Sequence, residues 1–190
     1  MTVFGDTDGT PVEFRRAITS LRAASLRPEI QLDETPAPRR LAPYAVAMSA
    51  DVVVAGDEEL ATGRFVLLHD PDAPDAWDGT FRVVSLVQAD IEPEAAADPL
   101  LPAVGWSWLI DALDAWQAPY GNASGTVTRL AEESFGLDRP PTAKVEIRVS
   151  WTPHDTELGH HLSAWADLLC QAGGLPPVPP DVAILPGRSR

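Results

Sequence analysis

The sequence predicts an α+β domain: an antiparallel five-stranded sheet with three helices, in the order α-βββ-α-ββ-α. Three observations predict it. Residues 143–151 alternate without a break, with Ala143, Val145, Ile147, Val149 and Trp151 on one side and Lys144, Glu146, Arg148 and Ser150 on the other. That is the period of a strand buried on one face. A capping residue precedes proline at Thr10-Pro11, Asp98-Pro99 and Thr152-Pro153, each ahead of a helical apolar stripe, as at helix starts. The apolar runs between residues 44 and 89 are separated by short turns, which favours antiparallel pairing.

In chain order, residues 1–9 are polar and read as a frayed terminus. Phe14, Ala17, Ile18, Leu21 and Ser25 then form a helical stripe, and Pro28 is expected to end this first helix. Four prolines between residues 28 and 43 mark an extended connector, with a short edge strand at most at Glu29–Leu32. Residues 44–55, 61–68 and 80–89 read as three strands. The second helix follows Asp98-Pro99 and runs to about Trp116, its true start displaced a turn by Pro102. Gly121–Gly125 reads as a turn, residues 126–134 as the fourth strand and 143–151 as the fifth. The third helix is expected from Thr152-Pro153 to Gly173-Gly174, with Leu158, Leu162, Trp165 and Leu169 inward. Residues 1–174 thus make one domain, and 175–190 a proline-rich tail.

The chain has 190 residues, a net charge of −14 and one cysteine, Cys170. No stretch reaches the ~20 apolar residues of a membrane span, and no basic cluster precedes an apolar run near the N-terminus. These features predict a cytoplasmic protein without disulfides. Residues 51–100 hold twelve acids against Arg64 and Arg82 alone, a segment that repels a phosphate backbone. Direct nucleic-acid binding is therefore not expected, and neither is a membrane partner.

The motifs that could carry chemistry are each incomplete. Glu157 and His160 stand at carboxylate-bridged metal spacing, but the second copy such a site requires is absent. The loop Asp70, Asp72, Asp75 and Asp78 departs from calcium-loop spacing. Gly105-Trp106-Ser107-Trp108 lacks the last glycine of a hydrolase elbow and falls inside a helix. Cys170 reads as a buried small hydrophobe, and the only lysine, Lys144, lies in a strand. No catalytic residue, metal or cofactor is predicted.

The segments Trp77-Asp78-Gly79-Thr80-Phe81-Arg82-Val83-Val84, Asp98–Leu101, Val104–Leu109, Gly125–Arg129 and Ala164–Cys170 together resemble an actinobacterial domain-of-unknown-function family. The resemblance covers nearly the whole chain and implies no site residues. The element order is also similar to that of small acidic dimeric chaperones of type III secretion, an analogy of fold and not of function.

The leading expectation is a non-catalytic protein-binding or chaperone-like domain that forms a homodimer. Apolar residues surplus to a one-sided core support it. The proposed surface is Trp77, Arg82, Val84, Leu86 and Trp108, beside a polar half-face of Arg129, Lys144, Glu146 and Arg148. The competing expectation is an enzyme with a dispersed site built from Arg82, Arg129 and the acids of the 70–78 loop.

Overall fold

A computed structural model describes residues 9–177. The elements, in order, are α1 (Val12–Arg22), β1 (Ile30–Thr35), β2 (Tyr44–Val54), β3 (Glu58–His69), β4 (Phe81–Ile91), α2 (Pro93–Ala97), α3 (Leu101–Ala115), β5 (Tyr120–Glu132), β6 (Thr142–Pro153) and α4 (Leu158–Ala172). The strands form one sheet in the order β1-β2-β3-β4-β6-β5. Every neighbouring pair is antiparallel. The expectations for residues 1–8 and for the tail from 178 onward lie outside the described residues.

The class is α+β with an antiparallel sheet, but among the described residues six strands and four helices replace the expected five and three. The added strand is β1, which pairs with β2 from Ile30↔Val52 to Thr35↔Ala47. Ile30 and Leu32 pack on the core while Gln31 and Asp33 are exposed. The strand is an edge strand, which tolerates the prolines that follow it. The added helix is α2, whose five residues are too few to show a 3.6-residue stripe.

Three element ends also differ from expectation. α1 stops at Arg22, six residues before Pro28. Its last inward residue is Leu21, and the Ser25 carbonyl accepts a bond from Ser163 Oγ (2.8 Å). α4 begins at Leu158, because Thr152 and Pro153 belong to β6. Asp155 makes the turn there, its Oδ1 accepting from the Glu157 N–H at 3.0 Å. β5 begins at Tyr120, so the expected turn at Gly121–Gly125 is instead a bulge inside a strand, with a register shift between Gly121 and Ser124.

The three longer helices cover one face of the sheet, here the inner face. α4 is its centre, with Leu158, Leu162, Trp165, Leu168 and Leu169 fully buried. α4 sits close to β3 because residue 63 is glycine. A Cβ there would stand 2.6 Å from Leu169 Cδ1 and 2.7 Å from Trp165 Cζ2. α1 crosses α4 at a second glycine, Gly159, where a Cβ would stand 2.6 Å from the Ser20 carbonyl oxygen. The Gly159 N–H donates to Ser20 Oγ at 2.9 Å and joins the two helices. α3 lies alongside, burying Leu109 and Leu113, and Trp116 Nε1 donates to Asp167 at 2.7 Å.

No described helix rests on the other, outer face. Its β1–β2 side is covered instead by the connectors. Ala37, Ala42 and Trp77 pack there on a small separate core of Ala47, Val66 and Leu68. Towards β5 the outer face is open.

Candidate functional site

The register places the outer-face side chains in cross-strand rows. One row runs Arg64, Leu86, Arg148, Thr126 across β3, β4, β6 and β5. The next runs Val66, Val84, Ser150, Ser124. A third pairs Leu68 with Arg82, whose guanidinium reaches Thr152. Between these rows lies a shallow groove of about 480 Å³, lined by Arg64, Val84, Leu86, Ser124, Arg148 and Ser150 among others. Its floor is apolar and its flanks are polar. Val84 is 40% exposed, although apolar side chains on the inner face of the same strand are almost fully buried.

Arg82 is only 8% exposed, the one charged residue buried among those described. Its guanidinium meets four acceptors, all neutral. Nη1 donates to the Asn122 carbonyl (2.8 Å) and to Thr152 Oγ1 (3.0 Å). Nη2 donates to Ser150 Oγ at 2.6 Å and to Ser124 Oγ at 3.4 Å. No described carboxylate pairs with it. Burial pulls its pKa below the usual arginine value, and no acid opposes that. Thr152 Oγ1 in turn donates to the Trp77 carbonyl, and Asn122 Nδ2 donates to the Ala76 carbonyl (2.9 Å). One side of the guanidinium therefore latches the 70–80 loop to the β5 bulge, and the other supports the groove.

Of the residues expected to form a surface, Arg82, Val84 and Leu86 share the outer face, and Trp77 caps the small core next to them. Trp108 does not join them. It lies on α3, across the sheet, half-buried against the main core. Arg129 also departs from the polar half-face assigned to it. It pairs with Val145, so it points to the helix side, where its Nη1 donates to the carbonyls of Asp98 (2.7 Å) and Ala96 (3.2 Å). Lys144, Glu146 and Arg148 do lie on the outer face, where Arg148 pairs with Glu146 at 2.8 Å and Lys144 with Asp90 at 3.3 Å. Arg64, Ser124 and Ser150 are among the groove residues outside the expected surface. Ser150 was legible as an outward position of the alternating strand, whereas Ser124 was hidden in an apparent turn.

The remaining candidates separate in space. His160 is exposed and His161 is fully buried on the other side of the helix. Among the described residues no three His, Cys, Asp or Glu side chains gather. Cys170 is buried, and burial pushes its thiol up to about 12. His69, at the end of β3, stacks among Phe14, Tyr44 and Phe81, and its Nδ1–H donates to the Thr80 carbonyl at 3.1 Å. Burial holds it below the ordinary histidine value. No described helix is long and apolar enough to cross a membrane.

No curated protein and no solved structure is detectably similar to the chain. A family match does cover residues 10–183, nearly the full length, and it establishes that the chain belongs to the family described as "Protein of unknown function (DUF3000)".

Proposed function

We propose that the chain is a non-catalytic binding domain that works through the outer face of its sheet and self-associates there as a homodimer. The observation that carries this reading is the one-sided helix layer. It leaves Val84 (40% exposed) and the half-buried Leu86 uncovered in the middle of a sheet, an apolar patch that a partner could cover. A two-fold partner would bury that patch against itself. The charged rows on β6 would form its rim. The acidity of the chain and the lack of an assembled catalytic constellation among the described residues favour binding over chemistry.

Geometry does not favour the enzyme reading. Arg82 and Arg129 project to opposite sides of the sheet, and the carboxylates of the 70–78 loop make no ion pair with either.

The test is Leu86→Asp, with light scattering at micromolar concentration on wild type and variant. The expected result is a dimeric wild type and a variant that is folded by circular dichroism but monomeric. A wild type that is monomeric throughout the range overturns the dimer.

A further inference from the structure

We infer that the outer-face groove is a binding site for a small organic anion, a compound with one carboxylate or phosphate group and an apolar body. This goes beyond the self-association reading and does not depend on it.

The first support is the state of Arg82. A buried cation is costly unless a counter-charge and hydrogen bonds compensate it. Arg82 has the hydrogen bonds but no described counter-charge. Its latching of the 70–80 loop occupies Nη1 alone. Nη2 is spent on the two serines that line the groove, and these hydroxyls accept from it.

The second support is the count of hydroxyl protons. Ser124 Oγ and Ser150 Oγ lie 3.3 Å apart, so at most one of their two protons can lie between them. At least one O–H has no acceptor among the described residues. It stands at the groove, polarised by the guanidinium behind it. An anion oxygen accepting from Ser150 would lie about 5 Å from Arg82 Nη2, one hydrogen-bond length beyond the 2.6 Å contact.

The third support is the rest of the lining. Arg64 and Arg148 flank Leu86 in one row, so the charged groups lining the groove are cations. Arg148 is 68% exposed at its side chain and, among the described residues, is paired only with Glu146 on its own strand, leaving it able to swing to a ligand. Val84 and Leu86 supply the apolar floor. The net charge of −14 selects the ligand's size. A polyanion would meet the repulsion of the whole chain, whereas a single anionic group feels mainly charges within a Debye length of about 8 Å.

The experiment is an amide-resolved NMR titration of the full chain at constant ionic strength. Inorganic phosphate and benzoate are the two probes, so that the phosphate and carboxylate sources are told apart. Saturable shifts at the amides of 124–126 and 148–150 are expected with at least one probe, in the millimolar range. Arg148→Met, at an exposed position, should weaken that affinity by roughly tenfold while leaving the remaining spectrum in place. Ser150→Ala should weaken it as well. The titration is repeated at a protein concentration low enough for light scattering to show a monomer, so that burial of the groove in a dimer cannot mask the result. Linear shifts with both probes at both concentrations, or an affinity unchanged in Arg148→Met, overturn the site. Light scattering decides self-association separately, so failure of one reading leaves the other standing.

Discussion

His161 should make the fold acid-sensitive, and the size of the effect follows from its surroundings. The ring is fully buried, and Trp151 Nε1 donates to its Nδ1 at 3.0 Å. The proton of the neutral ring therefore belongs on Nε2, which has no hydrogen-bond partner. Asp155 Oδ1 stands 3.9 Å away, too far and too exposed to offset the loss of water. Burial, reinforced by repulsion from His160 and His154, holds the pKa at about 3, against an ordinary 6.5. The unfolded chain then takes up a proton near pH 6.5 that the native chain refuses until about pH 3. The stabilisation is complete above the unfolded value and is lost as pH falls from there towards 3. At roughly 1.4 kcal/mol per pH unit, the loss reaches about 3 kcal/mol by pH 4. His161→Asn removes the titration but places Oδ1 where Nδ1 accepts from Trp151. Urea melts read by tryptophan fluorescence, at several pH values between 7 and 4, should show wild type declining more steeply than the variant by about that amount. The carboxylates titrate alike in both proteins and cancel. Parallel stability curves would refute the reasoning, as would a His161 ring that titrates by NMR near pH 6.

Three further outcomes are expected. Cys170, with its thiol pushed up to about 12 by burial, should react with a disulfide reagent only when the chain unfolds, and free-cysteine rates under native conditions would contradict its placement. Gly159→Ala should cost about 1–3 kcal/mol in denaturant melts, because the new methyl meets the Ser20 carbonyl in backbone and not a movable side chain. Trp165→Ala should cost about 3–5 kcal/mol, as for other large aromatics lost from a core, and a loss below about 1 kcal/mol would mean the indole is not packed against Phe65.

Legibility in the sequence follows burial asymmetry. β6 was readable because Val145, Ile147 and Val149 meet the helices while Lys144, Glu146 and Arg148 meet water. β1 lies at the edge, where packing constrains few side chains, so its alternation is short and broken by acids. The helix starts misled for a different reason. Thr152-Pro153 has the composition of a cap, but the Thr152 hydroxyl is committed to Arg82 and the Trp77 carbonyl, and Asp155 takes over the turn. Which of two nearby polar residues organises a helix end depends on tertiary partners that local composition does not record.

The same limit explains why the groove could be named only in part. Arg82, Val84 and Leu86 were visible as one side of an alternating strand, a property of adjacent residues. Burial of the Arg82 charge is not local: its acceptors come from positions 122, 124, 150 and 152, some 40 to 70 residues away. Those at 150 and 152 reach it through the pairing of β4 with β6, and those at 122 and 124 because a bulge at Gly121–Ser124, with Asn122 at φ 48°, slips the register of β5. In a strand, a slip by one residue exchanges the two faces. Glycine and asparagine at 121–125 suggested a turn from composition, and assigning Arg129 the wrong face followed from having no register for β5. The bulge that sends Arg129 to the helix side also leaves Ser124 opposite Ser150 on the outer side. The proposed anion site and the missed arginine placement thus share one cause.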